Sequence, residues 1–239
     1  SQYRLGYYYY VECDVPDYAE SFKWMEMAAS QNYPRALHDL GLFYEKGLYV
    51  EKNDEQSFFY YKASAELGYT DGQFDTGYAY DKGVGIERNP LEAEKWYLMA
   101  AENGSTSAQF YIGIMYKDGY GIEQNYEKSL YWMTKAAEKG IAKAELWCGE
   151  FYQYGYGTQK DYKKAFEYYR RSAEKGNSSA QFSLGYFYSY GIAVERNYEE
   201  AFKWYLLAAE AEHDVAQHNI SLHYSDGKGV EKDAQKALF

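Results

Sequence analysis

Residues 108–143 read AQFYIGIMYKDGYGIEQNYEKSLYWMTKAAEKGIAK, and the pattern of this stretch returns every 36 positions along the chain. The glycine before its central loop, Gly119, recurs on the same frame as Gly47, Gly83, Gly155, Gly191 and Gly227, without insertion or deletion between copies. A fixed period of this size is typical of repeat arrays, in which each unit packs only on its neighbours. The period therefore predicts a repeat fold along the chain.

Two helical patterns lie on either side of that glycine. Ala108, Ile112 and Tyr116 follow one another at four-residue spacing, which places them on one face of a helix. Gly119 marks the end of this first helix, because the chain leaving a helix often needs a positive φ, which glycine adopts without strain. The second pattern begins at Asn125, whose side chain can accept from the free amides of a first helical turn.

Sister copies support this second helix, which ends at Gly140 in the central copy. An N-cap residue stands three positions before a Glu or Gln, which predicts reciprocal capping; the pairs are Asn53 and Gln56, Asn89 and Glu92, Asn197 and Glu200, and Asp17 and Glu20. Pro90 also follows Asn89, at a position that proline favours. Each copy is therefore predicted to form a hairpin of two short helices.

Neighbouring hairpins must stack, because two short helices cannot bury their apolar faces alone. We predict an all-α, regularly twisted solenoid of about seven 36-residue helix-turn-helix repeats, forming a single domain over residues 1–239. The predicted repeats are 1–35, 36–71, 72–107, 108–143, 144–179, 180–215 and the partial 216–239. The first copy is atypical and the last stops early in its second helix, so both ends look truncated and we expect the last hairpin to fray.

Comparison of the copies within the chain separates a constant frame from variable positions. Three sets are predicted to form the core: a tyrosine in every copy (Tyr9, Tyr44, Tyr80, Tyr116, Tyr152, Tyr188, Tyr224), a helix glycine (Gly6, Gly41, Gly77, Gly113, Gly149, Gly185) and a large aromatic anchor (Trp24, Tyr60, Trp96, Trp132, Tyr168, Trp204). The glycine is expected to allow close approach to alanines of the second helix, such as Ala65, Ala101 and Ala137. Binding specificity should therefore lie in the positions that vary.

Composition narrows the function classes. The net charge is −11 and the calculated pI about 4.9, which indicates a well-solvated surface or an acidic face for a basic partner. No basic stripe exists to neutralise phosphates, so we predict no nucleic-acid partner. No apolar run reaches the roughly 20 residues that span a bilayer, so we predict no membrane insertion. We predict a cytoplasmic protein; Ser1 and Phe239 look like cut points, so a removed leader or anchor stays open.

Catalytic, metal and redox signals are weak. Cys148 stands where other copies have Leu40, Ile112 and Leu184, which predicts a buried hydrophobe, and Cys13 lies too far away for a disulfide. His218 and His223 are five residues apart and do not share the face that a zinc-binding helix requires. The glycine-rich loops lack the flanking strand and Lys-Ser of a phosphate-binding loop. We therefore predict no catalytic residue, no metal and no cofactor.

Two segments carry a family resemblance: ALHDLGLFYEKG, residues 36–47, and EKWYLMAAENG, residues 94–104. Their order of alanine, leucine-glycine, tyrosine, loop glycine, aromatic and paired alanines resembles the Sel-one-like repeat, a relative of the tetratricopeptide repeat. The resemblance covers essentially the whole chain. It implies a right-handed α/α superhelix and a role as adaptor or scaffold. Some secreted bacterial members carry a cysteine pair that bridges the helices of each repeat, and this sequence lacks those cysteines.

The same resemblance implies that first helices line a concave groove. The groove positions are Tyr3, Tyr7, Tyr10, His38, Leu42, Glu45, Phe74, Tyr78, Asp81, Phe110, Ile114, Lys117, Leu146, Glu150, Tyr154, Phe182, Tyr186 and Tyr190. Two interpretations stay open for the first aromatic of each set (Tyr3, Phe74, Phe110, Phe182), which either lines the groove or packs on a neighbouring hairpin. Exposure is favoured for Tyr7, Tyr78 and Tyr186.

The leading hypothesis is a non-enzymatic scaffold or adaptor that binds a protein or peptide in this aromatic groove. The alternative is a bacterial immunity or inhibitor protein that neutralises a secreted effector toxin, because related repeats accompany such effectors and an acidic groove suits a basic toxin. A hydrolase is the third hypothesis, although no nucleophile, base and orienting group stand together. The partner, the source organism and the oligomeric state stay open.

Overall fold

The computed structural model describes residues 1–238, which form thirteen α-helices and contain no strand. The helices are α1 Gln2–Tyr7, α2 Tyr18–Ala29, α3 Pro34–Lys46, α4 Asp54–Glu66, α5 Thr70–Lys82, α6 Pro90–Glu102, α7 Thr106–Asp118, α8 Tyr126–Glu138, α9 Ala142–Tyr154, α10 Tyr162–Glu174, α11 Ser178–Tyr190, α12 Tyr198–Glu210 and α13 Asp214–Asp226. A π-helical turn, Tyr8–Glu12, continues α1, and a 3-10 turn spans Lys236–Leu238. The all-α prediction is confirmed, and Phe239, the predicted end of the last copy, lies outside the described residues.

The helices group into two compact units, Ser1–Gln124 with α1 to α7, and a second unit from Asn125 onward with α8 to α13. Within each unit every helix packs against the next one along the chain, as a row of hairpins requires. Aliphatic and aromatic side chains fill the space between helices, for example Met25, Leu40 and Phe43 in the first unit. Leu184 and Phe187 do so in the second.

The helix ends follow the predicted signals. Gly119 caps α7 with φ of 66°, and the Asn125 side chain accepts from the amide of Lys128 at the start of α8. Pro90 occupies the first position of α6. The hairpin therefore begins and ends where local chemistry in the sequence places it.

The reciprocal half of the predicted capping is wrong. Asn53 accepts from the amide of Gln56 at 3.0 Å, as expected. Its own N–H, however, donates to the carbonyl of Tyr44 at 3.0 Å, at the end of the first helix. Asn89 and Asn197 do the same with Tyr80 and Tyr188. A backbone bond thus closes the loop within each hairpin and takes the donor that a reciprocal side chain would have used.

The helix glycines face aromatic rings, and the expected alanine neighbours are wrong. A Cβ on Gly149 would lie 2.6 Å from the ring of Tyr169, and one on Gly41 would lie 2.5 Å from Tyr61. The facing residue comes directly after the large anchor of the second helix, a rotation of about 100° around the helix axis. Gly6 is the milder case, because it meets the flexible side chain of Met25 at 3.1 Å.

The core therefore lies one residue away from two of the predicted sets. Among the large anchors Trp96 and Trp132 are buried, whereas Trp24, Tyr60, Tyr168 and Trp204 are half-buried. The residues that follow the anchors are all buried: Met25, Tyr61, Tyr97, Met133, Tyr169 and Tyr205. Of the recurrent tyrosines, Tyr116 is buried and the others are half-buried; the residues that precede them, such as Phe43, Met115, Phe151 and Phe187, are buried. Large rings thus seal the edge of the core, and their sequence neighbours fill it.

Cys148 is fully buried, which confirms its prediction as a core residue. Burial raises the pKa of its thiol to about 12, and its Sγ lies 3.8 Å from the Thr134 hydroxyl. Cys13 is half-buried, and both cysteines are free. Neither side chain therefore acts as a staple in this fold.

Glu145 breaks a hydrogen bond that other copies share. In those copies a glutamine side chain donates to the carbonyl of an alanine eight residues earlier, as for Gln109 and Ala101, Gln181 and Ala173, and Gln217 and Ala209. Glu145 is fully buried and has no N–H to give, and Arg171 donates to the Ala137 carbonyl in its place at 3.0 Å. Arg171 and Lys175 also lie 2.8 and 2.7 Å from the two Glu145 oxygens. Arg171 of α10 and Lys175, directly after α10, thus hold the buried carboxylate.

Candidate functional site

The predicted groove positions lie on the first helix of each hairpin, and we call this set the first-helix face. Tyr78, Tyr154, Tyr186 and Tyr190 are exposed, with 38, 52, 37 and 67% of their surface accessible. The half-buried members are Tyr3, Tyr7, Tyr10, Leu42, Phe74, Phe110, Ile114, Lys117, Glu150 and Phe182. His38, Asp81 and Leu146 are buried, and Glu45 is exposed. The exposure favoured for Tyr78 and Tyr186 is confirmed, whereas Tyr7 is partly covered.

The first unit carries an aromatic cluster on α5 and α7. Phe74 lies 5.7 Å from Tyr97 and 5.5 Å from Tyr111, measured between ring centroids. The exposed Tyr78 meets the edge of Tyr111 at 6.0 Å. Phe74 thus packs between hairpins, and Tyr78 presents the outer ring of the cluster.

A polar network surrounds His38 on α3. Its Nε2 lies 2.8 Å from Asp75 and its Nδ1 3.4 Å from Asp39. Burial alone would lower the pKa of His38, but hydrogen bonds to Asp39 and Asp75 outweigh it and raise the pKa to about 9. The ring also packs against Tyr61 and Tyr69, each 5.3 Å away. His38 is therefore a cation at neutral pH that joins α3 to α5.

Residues at the third groove position bind the buried tyrosines of the second helices. The Tyr61 hydroxyl donates to Glu45 at 2.6 Å, and the Tyr169 hydroxyl donates to Gln153 at 2.5 Å. Burial, followed by the bond to Glu45, raises the pKa of Tyr61 and keeps it protonated. Asp81 and Lys117 stand at the same position of their copies. The sequence register thus equates Asp81 with Gln153 and not with Tyr154.

Tyr3 marks one end of the face in the first unit. Its ring lies 4.8 Å from Tyr33 and 6.1 Å from Tyr7. The Arg35 guanidinium stands 5.8 Å from the Tyr3 ring and 5.9 Å from the ring of Tyr69. Arg35 thus lies between two tyrosine faces, an arrangement that favours a cation.

The second unit forms a cleft between α9 and α11. Its volume is about 530 Å³, and its walls include Tyr154, Phe182 and Tyr186. Phe182 stacks on His213 at 4.8 Å with an interplanar angle of 13°, which fixes the floor. Tyr186 lies 4.5 Å from Tyr190, so two exposed rings stand together at its rim. Three of the four exposed tyrosines of the first-helix face therefore belong to this unit.

Seven copies of the Sel1 repeat model match the chain, at residues 1–33, 34–69, 70–105, 106–141, 142–177, 178–213 and 214–239. The chain belongs to the Sel1 repeat family. From the second copy onward, the matched copies keep the 36-residue period and begin two residues before the predicted boundaries, at 34 against 36 for the second copy. Proteins of this family typically mediate protein–protein interactions, and the family is a non-enzymatic one.

Solved structures agree with this assignment. The protein c5321, a protective antigen of uropathogenic Escherichia coli strains with an SLR fold, is 34% identical with a TM-score of 0.95, and the match covers 99% of this chain and 51% of that one. A Sel1 repeat protein from Oxalobacter formigenes is 33% identical with a TM-score of 0.81, covering 99% and 94% of the two chains. No curated protein matches the chain. The chain spans about half the length of c5321.

The histidines of α13 have structural surroundings. His223 is buried, and its Nδ1 lies 2.6 Å from the carbonyl of Lys228, which selects the tautomer with a proton on Nδ1. His218 is exposed. Within residues 1–238 no three His, Cys, Asp or Glu side chains come together in a group that could hold a metal ion. None of the helices in the same range is long and apolar enough to cross a bilayer.

Sequence reasoning missed two residues of the first-helix face, Tyr111 and Asp75, and one residue beside it, His213. Tyr111 and Asp75 share one position of the repeat, which also holds Asp39, Trp147 and Ser183 in other copies. That position varies more than its neighbours, and this variation is the signal that could have selected it. His213 precedes α13 and reaches Phe182 of the preceding hairpin, a contact that no local pattern encodes.

Proposed function

We propose that this Sel1 repeat protein is a non-enzymatic scaffold that binds a protein or peptide through its first-helix face. The cleft of the second unit carries the proposal, because exposed Tyr154 and Tyr186 line it, exposed Tyr190 stands beside Tyr186, and Phe182 and His213 fix its floor by stacking. Tyrosines give a large contact area and lose little rotamer freedom on binding. The helices beneath them are already ordered, so little further entropy is lost when a partner docks.

The test compares two sets of alanine variants in a pull-down from the source cell, quantified by mass spectrometry. The first set changes exposed rings of the first-helix face, Tyr78, Tyr154 and Tyr186. The matched control set changes exposed apolar residues of second helices, Phe59, Tyr131 and Leu207, which have 61, 55 and 44% of their surface accessible. We expect the first set to lose its partners and the control set to keep them. Thermal stability should stay near that of the unchanged protein in both sets, because the rings are exposed.

Two results would contradict this proposal. If both sets recovered their partners equally well, the first-helix face would not be the binding surface. A collapse of stability in the first set would show that its rings belong to the core.

A second candidate function is neutralisation of a basic effector protein, and the exposed carboxylates Glu45 of α3 and Asp71 of α5 are the observation that favours it. Asp39, Asp71, Asp75 and Asp81 lie there with the exposed Glu45. Asp75 binds His38 and Asp81 binds Lys82 at 2.7 Å, so Asp71 and Glu45 are the outward charges. Capture by these carboxylates should weaken as salt is raised, since screening acts on exposed charges. Salt-insensitive binding would reject this candidate.

Four sequence-based predictions stay proposals beside this function. We propose no catalytic activity and no nucleic-acid partner, which hydrolase screens and a DNA- and RNA-binding assay would test. We also propose a cytoplasmic location, which fractionation of the source cell would test. A single cooperative unfolding transition in calorimetry would support the predicted single domain over residues 1–239.

A further inference from the structure

The second unit has another cleft, on the side of the hairpins where the second helix α10 lies. Its volume is about 670 Å³, and it opens between α10 and the loop that follows α11. Lys163, Lys164 and Phe166 line it from α10, and Ala193 and Val194 line it from the loop. None of its lining residues belongs to the first-helix face. The cleft is therefore a separate feature of the molecule.

The loop position of Ala193 differs between copies, and Tyr49 stands there in an earlier copy, also at positive φ. In four other copies the loop position of Ala193 is a glycine that touches the first turn of the preceding second helix. A Cβ would lie 2.0 Å from the Asp54 carbonyl oxygen at Gly85, 2.4 Å from Pro90 at Gly121, 2.4 Å from Tyr126 at Gly157 and 2.0 Å from the Tyr198 carbonyl oxygen at Gly229. Ala193 has a Cβ and keeps φ at 62°, a conformation that glycine adopts more cheaply. Its loop therefore cannot approach α10 as the glycine loops approach their helices.

The charge of the cleft is opposite to that of the protein. Lys163 and Lys164 stand in the first turn of α10, where α8 and α12 have Glu127 and Glu199 at the first of the two positions. A negative charge is the favourable one beside a helix N-terminus, so the two lysines oppose local stability. With Arg171 the lining holds three cations and one carboxylate, in a chain of net charge −11.

Aromatic rings form the wall between these cations. Tyr152 and Tyr168 stack at 5.7 Å with an interplanar angle of 9°. The Lys164 ammonium lies 5.0 Å from the Tyr152 ring, and the Arg171 guanidinium lies 5.5 Å from the Tyr168 ring. Glu167, the acidic residue of the lining, pairs with Arg170. The Lys164 ammonium also lies 3.9 Å from the Asp161 carboxylate, and Arg171 pairs with the buried Glu145, so Lys163 is the least compensated cation of the lining.

We propose that this cleft binds an acidic segment of a partner protein, with carboxylates on Lys163 and Lys164 and an apolar side chain against Tyr152, Phe166 and Val194. Charge complementarity selects this occupant, because a basic segment would meet three cations. Ala193 and the lysine pair both reduce local stability. Ala193 enlarges the cleft, and the two lysines give it positive charge. Local sacrifice of stability at one place is typical of a functional site.

The test uses fluorescence anisotropy with a labelled peptide of about twelve residues, in which glutamate alternates with leucine and phenylalanine, a length that extended recognition sites accept. A peptide with lysine in place of glutamate is the matched control ligand. The protein variants are Ala193→Gly, which lets the loop close, and the double variant K163E/K164E. The control variant K139E/K203E makes the same net charge change at exposed lysines outside the cleft.

We expect the acidic peptide to bind and the basic one not to bind. The Kd for the acidic peptide should rise about tenfold or more in K163E/K164E and severalfold in Ala193→Gly, and should change little in K139E/K203E. Both cleft variants should keep or raise the melting temperature, which separates lost binding from lost folding. Alanine at Tyr154 and Tyr186 should leave the peptide affinity unchanged, because those rings lie on the other face.

Three results would overturn the proposal. The first is that the acidic peptide does not bind. The second is an equal loss of affinity in K163E/K164E and K139E/K203E, which would assign binding to net charge. The third is full affinity in both cleft variants, which would place the peptide elsewhere.

Discussion

Arg171 and Lys175 hold the buried carboxylate of Glu145, and we call this arrangement the clamp. Replacing Glu145 by the glutamine of the sister copies tests whether the hydrogen bond of those copies can take the place of the clamp. Gln181 donates to the Ala173 carbonyl, and the residue 26 positions after Gln181 is Leu207. Glu145 and Arg171 have the same spacing. The double variant E145Q/R171L therefore gives positions 145 and 171 the residue types of Gln181 and Leu207.

The size of the effect follows from the groups left unpaired. R171L alone removes the donor to the Ala137 carbonyl and one of two cations from a carboxylate with no exposed surface. An unsatisfied buried acceptor costs about 1–3 kcal/mol, and loss of one partner of a buried ion pair costs about 3–5 kcal/mol. Lys175 still binds the carboxylate at 2.7 Å, and Arg171 is 42% exposed, so the lower range applies. We expect R171L to lose about 2 kcal/mol of unfolding free energy.

In E145Q/R171L the new amide can donate to the Ala137 carbonyl, and Lys175 can still donate to its oxygen. We expect the double variant to come within about 1 kcal/mol of the unchanged protein, which gives a coupling energy of about 1–2 kcal/mol. Urea unfolding of the four proteins of the cycle, followed by circular dichroism, measures it. Additive effects, or an R171L variant as stable as the unchanged protein, would refute the clamp.

Three further predictions concern other parts of the frame. The protein should lose stability as pH rises from about 6.5 through about 9, because His38 has a pKa of about 9 when folded and loses the proton that binds it to Asp75; the loss, about 3 kcal/mol at most, should be largely absent in H38Q when unfolding is measured at about pH 6 and about pH 9, below the range in which the tyrosines of the unfolded chain ionise. Gly149→Ala should lose about 1–3 kcal/mol in urea unfolding, because its Cβ meets the Tyr169 ring at 2.6 Å, and Gly6→Ala should lose less, since Met25 can move. Asn53→Ala should lose about 1 kcal/mol by the same assay through the lost cap on Gln56, whereas Gln56→Ala should be nearly neutral because its side chain does not cap Asn53.

The hairpins were predictable because their signals are local. Gly119 and Asn125 set a helix end and a helix start through their own backbone and side-chain chemistry, and both act as predicted. The neighbours of Gly149 were not predictable in the same way. Which residue of the second helix faces it depends on the rotation between two helices, and one residue shifts that rotation by about 100°. The period locates a helix far better than it locates its inward face.

The candidate site was partly predictable for the same reason. The exposure of Tyr78 on α5 and of Tyr186 on α11 follows from the position of each residue on its own helix. The covering of Phe182 depends on His213 in the next hairpin, and that of Phe74 on Tyr111. Contacts between hairpins arise from side chains at variable positions, where comparison of the copies gives no expectation. The exposure of these rings to a partner therefore depends on how neighbouring hairpins pack together.

Departures from the repeat lie on and beside α10, and Arg171 links two of them. Arg171 holds the buried Glu145 and also lines the cleft beside Lys163 and Lys164. A leucine stands at the same position in the α12 hairpin, Leu207, where the partner position is Gln181, so an arginine is not a constant part of the repeat. The glutamate instead fixes the guanidinium at the cleft wall, because a buried carboxylate holds a cation more firmly than an amide does. We infer that the clamp supports the basic surface of α10; α8 has Lys128 and Lys135 at the positions of Lys164 and Arg171, but Glu127 in place of Lys163.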